Sequence, residues 1–261
     1  MPGRAILALI VLLLFASAAS AQRSPSAATV LRARGMQWSS LNAPGLRLHF
    51  QRGSPAERDS AKLRTEAVAA RVHVLRVANE ANYPAIDVFF VDSRTTLRRI
   101  AGARSKGLAV PSANYVVLAY NDSTRSFPKH ELMHVVTLAR WGSSPKGGPW
   151  LGEGIAAYAD PRCLDYTVDE IAAYLHRRGE LLPDRALYER FVATDDLIAY
   201  IQAGSLAGFL IEAYGLDVVK TVWSRGNAAI PKGATDAWRK RLAAAPTRPI
   251  DWSRLARFGC V

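Results

Sequence analysis

The chain has 261 residues, 49% hydrophobic and 21% charged, with 34 Lys and Arg against 22 Asp and Glu and a formal net charge of +12. That balance excludes a disordered or collagen-like chain. Two cysteines, Cys163 and Cys260, are too few for a disulfide-stapled miniprotein or a cysteine-ligated zinc ribbon.

Residues 1–21 read as a signal peptide. Arg4 supplies the positive start, Ile6 to Phe15 a short apolar core, and Ala19-Ser20-Ala21 a small-residue cleavage pattern. The apolar run is shorter than the roughly 20 residues of a spanning helix, and no later run reads as long enough to span. Cleavage after Ala21 would remove only Arg4 among the charges and leave +11. A secreted or periplasmic protein is expected, with no stable membrane span after cleavage. In an oxidising compartment a Cys163–Cys260 disulfide is expected, the alternative being two unpaired buried thiols. Closing a loop of nearly 100 residues, such a bridge would contribute about 4–5 kcal/mol in the chain-entropy picture.

Residues 22–45 are weakly patterned and read as a flexible lead-in. Leu46–Phe50 alternates apolar and polar, as a strand does. Ser54-Pro55-Ala56-Glu57 carries an N-cap, a proline in the first turn and an acid three residues on, and predicts a long helix to about Asn82. Ile86–Val91 is a second strand, Ser93–Ala101 a short basic helix and Tyr115–Tyr120 a third strand. Helices are predicted over 127–140, 149–159, 167–178, 186–193, 197–214, 216–224 and 234–244. Strands first and helices after predict an α+β chain, with a small mixed or antiparallel sheet and a mainly helical C-terminal half. The scattered basic residues follow no nucleic-acid-binding pattern, so nucleic acid is not the expected partner.

One motif carries chemistry: His130-Glu131-Leu132-Met133-His134 on a predicted helix. Residues four apart share a helix face, so both imidazoles can converge on one metal ion. Glu131, displaced around the helix, can take a proton from a metal-bound water. Glu153 follows His134 after 18 residues, behind the turn Lys146-Gly147-Gly148 and Pro149. A second, antiparallel helix would bring Glu153 opposite the histidines. The result would be a His₂Glu site for one Zn2+ with an open fourth position. His49, His73 and His176 are read as structural or surface residues.

H-E-x-x-H, 18 residues and then Trp150-Leu151-Gly152-Glu153-Gly154-Ile155-Ala156-Ala157-Tyr158 resembles the gluzincin metallopeptidases, in particular the peptidase MA-like group related to aminopeptidase N and the thermolysin-type zincins. The resemblance implies a zincin-like domain over 46–261 that hydrolyses peptide bonds in a peptide or protein substrate. By similarity to the aminopeptidase-like relatives, Tyr200 would stabilise the oxyanion; otherwise it is a core aromatic. Tyr158 is the second candidate for that role, or packs beside the metal helix. Thermolysin-type sites carry an Asp four residues after the ligating Glu, where this chain has Ala157. Asp160 is the candidate partner for a ligand imidazole, or a residue ending its helix. Aminopeptidase N relatives also carry an upstream G-x-M-E-N strand whose Glu grips the substrate amine, and the comparable stretch Lys106–Asn114 contains no acid. That departure favours an endopeptidase, with the strand Tyr115–Tyr120 bordering the cleft. Two other readings stand beside this one: a non-catalytic zincin scaffold that binds partners in the cell envelope, and a zinc hydrolase of a non-peptide substrate.

Overall fold

The computed structural model describes residues 25–102, 105–124, 126–194 and 197–258; the expected signal peptide, 1–21, and Cys260 lie outside them. In chain order come α1 (Ala27–Leu31), β1 (Trp38–Ala43), β2 (Leu46–Gln51), α2 (Pro55–Arg58), α3 (Ser60–Ala78), β3 (Ile86–Val91), α4 (Arg94–Ala101), β4 (Gly107–Val110) and β5 (Tyr115–Ala119). The second half is helical apart from a small ribbon: α5 (Pro128–Arg140), α6 (Pro149–Ala159), β6 (Arg162–Cys163), β7 (Tyr166–Thr167), α7 (Val168–Arg178), α8 (Asp184–Thr194), α9 (Leu197–Tyr214), α10 (Leu216–Arg225), α11 (Ala234–Ala244) and α12 (Trp252–Phe258). The α+β expectation holds.

The sheet order is β1-β2-β3-β5-β4. The three inner strands run parallel, and β1 and β4 pair antiparallel at the two edges. Both β3 and β5 are buried at every position, which explains their unbroken apolar runs. Alternate residues serve opposite faces. Ile86, Val88 and Phe90 join Leu63 and Val74 of α3 and Leu132 and Val136 of α5. Phe89 and Val91 join Val30 of α1 and Leu97 of α4 on the other face. Each such side chain, fully buried, contributes about 1.5–3 kcal/mol.

Four expectations need correction. The helix expected from Ser54 to Asn82 breaks at Asp59, whose carboxylate accepts the Tyr120 hydroxyl at 2.8 Å. It ends at Ala78, because Asn79 turns left-handed (φ 54°) and the Glu80 N–H donates to the Leu75 carbonyl. Inside the weakly patterned stretch 22–45 lie α1 and the edge strand β1, which is never fully buried and so lacks a strong apolar pattern. The strand at Tyr115 does not border open space, since it lies between β3 and β4, and β4 is the edge. Finally, α9 does have the length and apolarity to cross a membrane, at 18 residues and mean hydropathy 1.3, with 61% of it buried in the fold. It is apolar all round because its neighbours surround it.

Helices α6 and α9 approach closely through small residues. A Cβ on Gly154 would stand 2.5 Å from the Ala203 carbonyl oxygen, and one on Gly204 2.8 Å from the Ala157 Cβ. Cys163, at the start of the ribbon, is buried and disulfide-bonded.

Candidate metal centre

The path from β5 into α5 turns on Asn121, whose side-chain oxygen accepts the Ser123 N–H at 2.9 Å. Pro128 opens α5, where its missing N–H costs nothing. His130 and His134 then point from one face. Helix α6 starts at Pro149, after Gly148 in a left-handed conformation (φ 101°). The Trp150 indole N–H, buried, donates to the Gly147 carbonyl at 2.8 Å and to the Asn227 side-chain oxygen at 3.1 Å. These bonds hold the entry of α6, and Glu153 follows one turn later against α5.

The three ligand atoms form a nearly equilateral triangle. His130 Nε2 and His134 Nε2 are 3.1 Å apart, and Glu153 Oε2 lies 3.2 Å and 3.3 Å from them. Tetrahedral bonds of about 2.0–2.1 Å to N and O donors set ligand atoms roughly 3.3 Å apart. The triangle therefore has the size of one face of such a tetrahedron, and these residues could hold a metal ion. His130 is buried, and His134 and Glu153 are partly buried.

The charges are matched to that geometry. Burial alone would push the Glu153 carboxyl up, but His134 and His130 outweigh it and hold the group well below the usual carboxylate range. Burial would likewise lower His134, and the Glu153 and Glu131 carboxylates reverse the shift and raise it. Glu131 moves the other way. Its burial, with Glu153 adding, pushes its carboxyl up against the pull of the two histidines. Two carboxyls beside the same imidazoles thus have their proton affinities driven apart.

The remaining candidates fall in different places. Tyr200 is half-buried in the first turn of α9, with its ring on Phe191 at 5.0 Å between centroids. Tyr158 lines a separate cavity of about 480 Å³ with Arg76, Asn79, Ile211 and Tyr214, and its charged neighbours are Glu212, Asp169 and Arg241 rather than the ligands. Asp160 ends α6 and lies 3.8 Å from the Lys129 ammonium. It does not serve His130, whose buried Nδ1 has no hydrogen-bond partner among the described residues. His49 bridges Ser40 at 2.8 Å and Asp87 at 2.9 Å across the sheet. His73 sits 3.0 Å from an Arg76 nitrogen, and His176 lies in the last turn of α7. None of these three joins the ligand group.

Two residues at the centre carry no signal of their own. The Glu131 carboxyl lies against β4, where the Ala109 amide opposes the upward shift that burial causes. A Cβ on Gly107 would stand 2.4 Å from Glu131 Oε1.

No protein-family description matches the chain, and no curated protein matches it. Among solved structures, the crystal structure of an aminopeptidase N family protein from Idiomarina loihiensis is similar at a TM-score of 0.34 and 15% identity. The match covers 87% of this chain and 47% of that one, so the chain spans about half the neighbour's length.

Proposed function

We propose that the chain is a zinc-dependent metallopeptidase, with His130, His134 and Glu153 holding one Zn2+ and Glu131 as general base. The observation that carries this reading is the ligand triangle, 3.1–3.3 Å on each side, with the Glu131 carboxyl in electrostatic reach of all three ligands. Zinc bound there would polarise a water and the scissile carbonyl. Glu131, raised toward neutrality by burial, accepts the proton of the attacking water and delivers it to the leaving amine. Glu153, held ionised, keeps its ligand oxygen available.

The edge position of β4, beside Glu131, favours an extended peptide substrate along that strand. The stretch from Lys106 to Asn114 has no acid to receive a free amine, which favours cleavage within a chain over removal of an N-terminal residue. The segment 1–21 and a Cys163–Cys260 bridge fit a secreted or periplasmic enzyme.

The test is hydrolysis of a fluorogenic peptide library by the zinc-loaded protein and by Glu131→Gln. The variant should keep one zinc per chain and lose hydrolysis by at least about 10³-fold. An unchanged rate in the variant would remove Glu131 from the mechanism. A zinc-loaded wild type inert on the whole library would favour the non-catalytic scaffold.

A further inference from the structure

Strand β4 meets β5 in antiparallel register, Leu108 facing Val117 and Ala109 facing Val116. The Ala119 N–H donates to the Lys106 carbonyl at 2.9 Å, which marks that pair as hydrogen-bonded. Alternation along the ladder then turns the backbone groups of Gly107 and Ala109 away from β5, toward the free edge. On that free edge the Ser105 hydroxyl donates to the Gly107 carbonyl, and the Ala109 amide lies close enough to the Glu131 carboxyl to oppose its upward shift. Between them the Glu131 side chain rests on the bare α-carbon of Gly107. A Cβ there would lie 2.4 Å from Oε1 and 2.8 Å from both Cδ and Cγ. Gly107 is not among the left-handed glycines, so its backbone conformation would accept any residue. What excludes a side chain is Glu131.

We infer that Gly107 is a positioning residue for Glu131, giving it a seat on β4 that fixes where the carboxylate stands. The inference rests on Glu131 being the general base. The glycine lets the side chain lie flat on the strand instead of being pushed along α5. A methyl group at 107 would lift the carboxylate by about 1 Å, and a displacement of that size costs on the order of 100-fold in rate.

The experiment is a double-mutant cycle on the zinc-loaded chain, with Gly107→Ala, Glu131→Ala and the pair, read by melting temperature, zinc affinity and steady-state kinetics. Gly107→Ala should melt at least about 3 °C below wild type. The same substitution in the Glu131→Ala background should cost nothing, because the clashing side chain is gone. Zinc affinity should stay within about threefold, and on a cleaved peptide kcat should fall on the order of 100-fold while KM holds within about threefold. Equal losses of melting temperature in both backgrounds would overturn the seat, and an unchanged kcat would overturn the positioning role. If Gly107→Ala does not fold, a folded double variant supports the seat and an unfolded one refutes it. A wild type inert on every peptide would end the peptidase reading, and the melting cycle would still report whether Glu131 occupies the seat.

Discussion

Gly154 follows the candidate ligand Glu153 and faces α9, so replacing it with Ala tests whether helix packing sets the candidate metal site. The new Cβ would stand 2.5 Å from the Ala203 carbonyl oxygen and 2.9 Å from its carbon, where ordinary contact begins at 3.4 Å. The obstacle is backbone, so α6 itself must move, by about 0.9 Å. Overpacking of this kind costs about 1–3 kcal/mol, and the upper end applies when a backbone blocks the way. Replacing a helical Gly with Ala returns about 1 kcal/mol. The net loss is then about 2 kcal/mol, a fall of about 4–8 °C in melting temperature for a chain of this size. The same shift carries Glu153 off the triangle of 3.2 Å and 3.3 Å contacts, and zinc affinity should drop about 10- to 100-fold, as when support for a ligand is lost. Gly152, on the other side of Glu153, is the control, because a Cβ there meets nothing closer than 3.8 Å. Gly152→Ala should melt no lower than wild type and bind zinc as tightly. Thermal melting with a competitive zinc titration reads both variants. Equal melting temperatures and zinc affinities for Gly152→Ala and Gly154→Ala would refute the argument.

Trp150→Phe deletes the indole N–H shared by Gly147 and Asn227 and leaves part of a fully buried ring site empty; it should cost at least about 1–3 kcal/mol by urea unfolding, and no loss would mean that neither contact holds the turn. Glu153→Ala leaves two imidazoles and should lower zinc stoichiometry under dilute metal, read by elemental mass spectrometry, and full retention would remove Glu153 from the ligand set. For Asp87, burial pushes the carboxyl up, but the hydrogen bonds and charges of Arg47 and His49 outweigh it and hold the folded value below the usual one. Its contribution to stability is therefore complete above about pH 4 and is lost as pH falls through the folded value. Asp87→Asn should flatten the acid side of a plot of urea midpoint against pH, and an unaltered slope would contradict the assignment. If Tyr200 stabilises the oxyanion, Tyr200→Phe should lower kcat by about 10²-fold with its packing on Phe191 retained, and an unchanged kcat returns it to the core.

The candidate ligand group was legible because its spacing is covalent. Four residues along a helix fix His130 against His134, and a Gly-Gly-Pro turn brings Glu153 back on an antiparallel helix. Helices α6, α9 and α11 have the bounds that their apolar runs and flanking Pro and Gly residues predict. Edge strands were not legible. With four residues, β4 is too short to show a period, and β1 is half-exposed. The break at Asp59 depends on Tyr120, 61 residues away. The seat under Glu131 depends on Gly107, a residue with no side chain to signal its part. The approach of α6 to α9 rests on Gly154, Gly204 and Gly208, small residues that read locally as poor helix formers and act only in the pair. Contacts between distant segments left no local trace, whereas spacing along one helix did.

Whether this chain assembles a zinc site is decided by zinc stoichiometry, read by elemental mass spectrometry on residues 22–261 purified without chelator. About one zinc per chain is expected, lost in a His130→Ala/His134→Ala variant that still folds. No bound metal after incubation with zinc, or one zinc retained by that variant, would contradict it.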